Sequence, residues 1–279
     1  MKISEENSVG ETYIHALEDI AHFYLQTDEG EKLRATGEKL LSLSRELGKE
    51  NHAGLALRFL GMAKQIEGDF DGAEEIFLRS VKVFENLALT GRYYTLNMLA
   101  PKCYIGEMRQ RRGEAAEALR RFEECVTICE KRGLFWGRSH FHAHAADAAF
   151  DMGDRALFEA HVRKGAELFE SSKGGHCTSL LYSLKAICDA EKGDAAAALD
   201  SLKKADFLSA IGKKSWHAAQ YMAKAWTAAA VEEGRLDGAV FDGTLDGPAA
   251  RYAEEAARAY REIGAEGRAE FIGKKFLKG

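Results

Sequence analysis

Five glycines, each followed by a charged residue, recur along the chain at nearly one interval: Gly68-Asp69, Gly113-Glu114, Gly153-Asp154, Gly193-Asp194 and Gly234-Arg235. The intervals are 45, 40, 40 and 41 residues, and Gly30-Glu31 stands 38 residues before the first of them. Periodicity on this scale points to one supersecondary unit stacked about six times, since no such unit buries its apolar face alone.

Fixed offsets from each glycine carry the pattern further. Seven residues before it stand Phe23, Gly61, Gly106, Ala146, Ala186 and Thr227, small in every case but the first. Five residues after it come Ala35, Ala73, Ala118, Phe158, Ala198 and Ala239. In the four central units Phe77, Phe122, Val162 and Leu202 follow at nine, and Ser80, Cys125, Gly165 and Ala205 at twelve. Small residues let two helices approach and the large apolar residue fills the space beside them. Each unit therefore reads as helix, tight turn, helix, with the glycine supplying a left-handed helix end and the acid favoured at the next helix start.

These positions resemble the tetratricopeptide (TPR) family, most closely in Leu57, Leu60, Gly61, Gly68-Asp69-Phe70, Ala73, Phe77 and Ser80. A second good match is Ile105, Gly106, Gly113-Glu114, Ala118, Phe122 and Cys125. The resemblance extends over roughly residues 11 to 265. It implies an all-α, α-solenoid fold of about six antiparallel helix-turn-helix repeats. The periods exceed the ~34 residues of the standard repeat, and Pro101 and Pro248 are the only prolines, so the one that usually closes a repeat is missing. Longer helices, as in the repeat domains of bacterial regulators, would absorb the extra length.

A single domain over 1–279 is expected, because a solenoid lengthens without a boundary. Its repeats fall at 11–48, 49–90, 91–134, 135–174, 175–213 and 214–265, with a cap at 266–279. With 46% hydrophobic residues and no convincing run of β-branched residues, the chain suits helices with a core. The predicted helices are Glu11–Gln26, Glu29–Leu47, Asn51–Glu67, Asp71–Leu87, Gly137–Met152, Arg155–Ser171, His176–Lys192, Ala195–Ala210, Trp216–Glu233 and Glu266–Leu277. In the third unit Pro101 should bend or restart the first helix. Gly234 to Gly247 reads as a loop before a helix opened by Pro248.

A net charge of -5 argues against nucleic-acid or anionic-membrane partners. Arg109, Arg111 and Arg112 are offset by Glu107, Glu114 and Glu117. Met1 to Glu11 is polar and acidic, without an apolar signal core, and Ala218–Val231, the most apolar stretch, carries Lys224. Five dispersed cysteines, Cys103, Cys125, Cys129, Cys177 and Cys188, suggest reduced thiols and a cytoplasmic setting.

Catalytic motifs are sparse. His140 and His144 are four apart and share a helix face, so both could ligate a metal, with His161 as a possible neighbour. The ordinary reading is solvent-facing or hydrogen-bonded histidine. No Gly-x-Ser-x-Gly elbow or phosphate loop is present, and Lys173-Gly174-Gly175-His176 reads as a turn. No cofactor is expected. A non-catalytic protein- or peptide-binding scaffold is the favoured reading. A ligand-responsive sensor in a bacterial regulatory system is the alternative, and a metal-dependent enzyme built on His140 and His144 comes third.

In the family, first helices line a concave groove. Carried over residue by residue, that implies a groove of Arg58, Met62, Gln65, Glu107, Gln110, Arg111, His140, Asp147, Phe150, Ile187, Glu191, Tyr221 and Lys224, joined by Cys103, Asp151, Ser183 and Ala228. The partner would be a protein or peptide segment, and a homodimer is possible. Trp136, Trp216 and Trp226 would report on binding by fluorescence.

Overall fold

The computed structural model describes residues 2–88, 91–135, 137–171, 179–209, 214–241 and 243–277; for 2–8, 92, 209 and 214–216 only the backbone is described. Trp136, Cys177 and the Lys173–His176 turn lie outside the described residues, as does the Trp216 side chain.

Thirteen α-helices are described, in two compact units, residues 1–108 and 109–279. No strand occurs among the described residues. In the first unit α1 (Lys2–Gln26), α2 (Gly30–Glu46), α3 (Glu50–Ile66) and α4 (Phe70–Ala88) pack successively, and α1 also reaches α3. The division falls inside α5 (Arg92–Arg111). The second unit continues with α6 (Ala115–Lys131), α7 (Arg138–Asp151), α8 (Arg155–Ser171), α9 (Ser179–Glu191), α10 (Ala195–Ser209) and α11 (Lys214–Glu232). A 3₁₀ turn at Gly238–Phe241 precedes α12 (Ala249–Glu262) and α13 (Glu266–Phe276). Within this unit each helix packs on the next, and α7, α9 and α11 also pack on one another in order.

The recurring offsets correspond to real contacts. Gly61 sits so close to Phe77 that an added Cβ would lie 2.5 Å from the ring, which explains a small residue seven before the turn and a large one nine after it. Gly61, Gly106, Ala146, Ala186 and Thr227 are all buried, as are Phe77, Phe122, Val162 and Leu202. At twelve, the Ser80 hydroxyl donates to the Gly54 carbonyl at 2.8 Å.

The five turn glycines adopt φ between 70° and 83°, the left-handed conformation that closes a helix. Around Gly68 the orphan carbonyls are satisfied by Gly68 N–H donating to Gln65 and Asp69 N–H donating to Lys64. The following acid does more than favour the dipole. Asp69, Asp154 and Asp194 each accept from a first-turn backbone N–H, of Gly72, Leu157 and Ala197, at 2.9–3.0 Å. Glu114 makes no such cap and pairs with Arg109 instead.

The first hairpin corrects the sequence register. Its left-handed residue is Asp28, φ 55°, not Gly30, which is already inside α2. Counting from Asp28 puts buried Ala21 at the small position seven before the turn and leaves Phe23 exposed, so the exception at that offset disappears. Asp occupies the turn because its short polar side chain tolerates this conformation. Of the two alternatives at Pro101, a fresh helix start is not the one taken, because α5 runs through it as one element.

The last repeat departs as expected. After Gly234 the chain makes the 3₁₀ turn, burying Leu236 and Phe241, before α12 starts behind Pro248. Glu232 accepts from the Ala249 N–H at 2.8 Å, and the Tyr252 hydroxyl donates to Asp246 at 2.6 Å, which ties the loop to α12.

Candidate functional site

Helices α7, α9 and α11 are buried nearly all round, unlike the one-sided α6 and α8. Their alanines, Ala143, Ala146, Ala149, Ala186, Ala190, Ala223 and Ala230 among them, permit close neighbours on several sides. On α7 and α11 one side is met by α13.

Arg268 of α13 is the centre of that contact. Its guanidinium donates to Asp147 Oδ1 at 2.5 Å, to the Asp147 carbonyl at 3.1 Å and through Nε to Asp151 at 2.8 Å. Asp147 and Asp151, one turn apart on α7, both also accept from the Gln110 amide, at 2.9 and 2.8 Å. The Arg268 side chain is 7% exposed and that of Asp147 12%, so the charges face one another largely out of water. Burial pushes the Asp147 carboxyl upward against the opposing pull of Arg268, while the two carboxylates hold the guanidinium charged. Arg268 also lies over the Phe150 and Tyr260 rings, 5.8 and 5.3 Å from their centroids.

Beside the charges lies an aromatic cluster. Trp226 of α11 meets Phe150 at 5.4 Å, Phe271 at 6.1 Å and Phe276 at 4.8 Å between ring centroids, with Lys275 over its face at 4.7 Å. Its indole N–H donates to Glu191 of α9 at 3.0 Å, and Glu191 in turn pairs with Arg155. An amphipathic helix carrying Arg268, Phe271 and Phe276 on one side is thus held by α7 and α11.

The expected groove residues fall into three groups. Gln110, Asp147 and Phe150, with Asp151, converge on Arg268, and Glu191 joins them through Trp226. Met62, Gln65 and Ile187 are buried rather than exposed on an inner wall, because helices packed this closely enclose those positions. Arg58 lies over the Phe59 ring at 5.2 Å, Lys224 pairs with Asp206 at 3.3 Å, and Tyr221 packs partly against the core. Arg111 and Glu107 are half-buried. Arg268, Tyr260 and the position of Trp226 were not foreseen. The available signal was two aspartates one turn apart on an alanine-rich helix face, which demand a cation.

His140 and His144 do share a face, their rings 4.5 Å apart edge to face, and His144 lies against Phe122 at 5.2 Å. His161 meets His142 instead, Nδ1 to Nδ1 at 2.9 Å, since residue 142 points away from the 140/144 face. Burial first, then nearby His161, lowers the His142 imidazole to about 4. The four described cysteines are buried, and burial pushes Cys129 and Cys188 up to about 12, which disfavours their thiolates. Among the described residues no helix is long and apolar enough to cross a membrane.

No protein-family model matches the chain, and comparison with curated proteins finds no match. Solved structures do. A putative kinesin light chain of nearly identical TPR-like repeats from Podospora anserina aligns over 92% of this chain and 97% of its own, at 15% identity and TM-score 0.41. A signal transduction ATPase with numerous domains, carrying a tetratricopeptide repeat sensor, from Pyrococcus horikoshii aligns over 96% of this chain at 14% identity and TM-score 0.50. The chain spans 44% of that ATPase's length. The likeness is one of fold: all-helical, with TPR-like repeats.

Proposed function

We propose that this TPR-like repeat chain is a non-catalytic protein-interaction scaffold whose second unit grips an amphipathic helix on α7 and α11. The observation that supports it is α13 itself. A helix with an arginine followed three residues later by a phenylalanine already occupies this wall through Arg268 and Phe271. A partner helix of the same chemistry, cationic at one turn and aromatic at the next, would make the same contacts in exchange with α13. Specificity would come from the Asp147–Asp151 pair and affinity from burial beside Trp226 and Phe150.

A second reading, a sensor in which ligand binding releases α13, draws on the same contact. A charge pair buried at a helix-docking site gives two distinct arrangements, docked and undocked, that a ligand can bias.

Proximity labelling of the full chain in its native cells tests the scaffold reading. The double substitution Arg268→Ala plus Phe271→Ala weakens α13 without touching the wall, and should increase capture of partners several-fold. Adding Phe150→Ala to that pair should reverse the gain. Capture indifferent to both changes would reject this wall as the binding surface.

A further inference from the structure

The first unit holds a second constellation, unconnected with α13. On α1, His15 and Glu18 are three residues apart and face the start of α3, where His52 stands. The Nδ1 atoms of the two imidazoles address the two oxygens of one carboxylate: His52 Nδ1 lies 2.5 Å from Glu18 Oε1 and His15 Nδ1 lies 3.4 Å from Glu18 Oε2. The rings stand edge to face with centroids 5.3 Å apart. One ligand atom from each of the three residues falls within 4.8 Å of the other two.

We propose that His15, Glu18 and His52 form a binding site for a first-row divalent transition-metal ion of the Zn²⁺ type, clipping α1 to α3.

Two imidazoles and one carboxylate are a ligand set that such ions take readily, whereas Ca²⁺ and Mg²⁺ prefer all-oxygen surroundings. Metal–ligand bonds of about 2.0–2.1 Å in a tetrahedron place neighbouring ligand atoms about 3.4 Å apart. His15 already stands at that separation from one Glu18 oxygen, while His52, hydrogen-bonded to the other, must draw back and the three ligand atoms, all within 4.8 Å of one another, must adjust around the ion. Both helices are continuous through these positions, so the ligands rise from rigid backbone. Two of the three side chains are largely shielded, Glu18 at 14% and His52 at 15% exposed, while His15 at 65% leaves the entry path and a fourth coordination position open to water. Glu11, paired with Lys49, lies close enough to feel both histidines and adds negative charge at the rim. Without an ion the three groups form only a hydrogen-bonded surface cluster, so the assignment makes a distinct prediction.

Isothermal titration of the tag-free full chain with Zn²⁺ alone is the test. One ion per chain at micromolar affinity is expected, together with a rise of several degrees in the melting midpoint. His15→Ala and His52→Ala should each lower the affinity at least tenfold and abolish most of that thermal shift. Because His15 is mostly exposed, its variant should fold normally, which circular dichroism without metal would verify. His140→Ala plus His144→Ala should leave the binding unchanged. Absence of stoichiometric binding, or binding that survives loss of His15 and His52 or vanishes with His140 and His144, overturns the proposal.

Discussion

Arg268 donates to Asp147 across 121 residues of sequence, joining α13 to α7 through a largely buried contact with both its carboxylate and its backbone carbonyl. Truncating one partner of such a pair leaves the other charge stranded. Arg268→Ala should therefore destabilise by about 3–5 kcal/mol, as should Asp147→Ala. The double variant should cost clearly less than the sum, and urea denaturation of all four proteins would reveal it. Additive losses would mean that the two residues do not act as a pair.

Release of α13 should also be visible optically. Trp226 is 5% exposed and surrounded by Phe150, Phe271 and Phe276. Phe271→Ala plus Phe276→Ala should red-shift its emission and raise its quenching by iodide, read against a Trp136→Phe, Trp216→Phe background. An unchanged spectrum would show that these rings do not shield the indole.

The two kinds of glycine should respond differently to alanine. At Gly61 the new methyl would meet the Phe77 ring at 2.5 Å, and Gly61→Ala should cost about 1–3 kcal/mol, largely recovered by Phe77→Leu. At Gly68, φ 83°, nothing lies near the added methyl, so Gly68→Ala should cost about 1–2 kcal/mol from backbone conformation alone. No change at Phe77 should recover that loss.

Asp28 makes the converse case. Its φ of 55° is one that glycine adopts freely, and Asp28→Gly should raise stability by about 0.5–1 kcal/mol. A loss in the denaturation midpoint would instead assign the Asp28 side chain a role of its own.

Acid should weaken the second unit. The His142 imidazole sits at about 4 when folded, against ~6.5 in an unfolded chain, so the unfolded state takes up the proton first as pH falls. The stability contributed by neutral His142 is intact above ~6.5 and disappears progressively toward 4, about 2 kcal/mol of it by pH 5. Neighbouring His161, also lowered by burial but raised by Glu123, shares the effect. Urea midpoints at pH 7, 6 and 5 should decline in the wild type and decline less in His142→Leu.

Much of the fold could be read in the sequence because it depends on local rules. Left-handed turns need glycine, close helix contacts need small residues, and both recur at fixed offsets that define the hairpins from Gly61 to Leu202 whatever surrounds them. The first hairpin was misregistered for the same local reason. Asp28 satisfies its turn without glycine, and Gly30 nearby offered a decoy. At Pro101 the sequence leaves open whether the helix continues or restarts, since packing can hold a helix together across one missing backbone donor.

The contact of α13 with α7 and α11 was another matter. Asp147, Asp151, Phe150 and Gln110 were identified as neighbours along first helices, but nothing local foretold that Arg268 would fill the space between the carboxylates or that Trp226 would stack beneath α13. Equally, His15 and Glu18 announce only a shared helix face until α3 brings His52 to them. Short-range backbone geometry and residue size determine the repeating hairpins from sequence alone. Which side chains meet across distant segments depends on how helices dock, a long-range balance of burial and charge that only the tertiary structure decides.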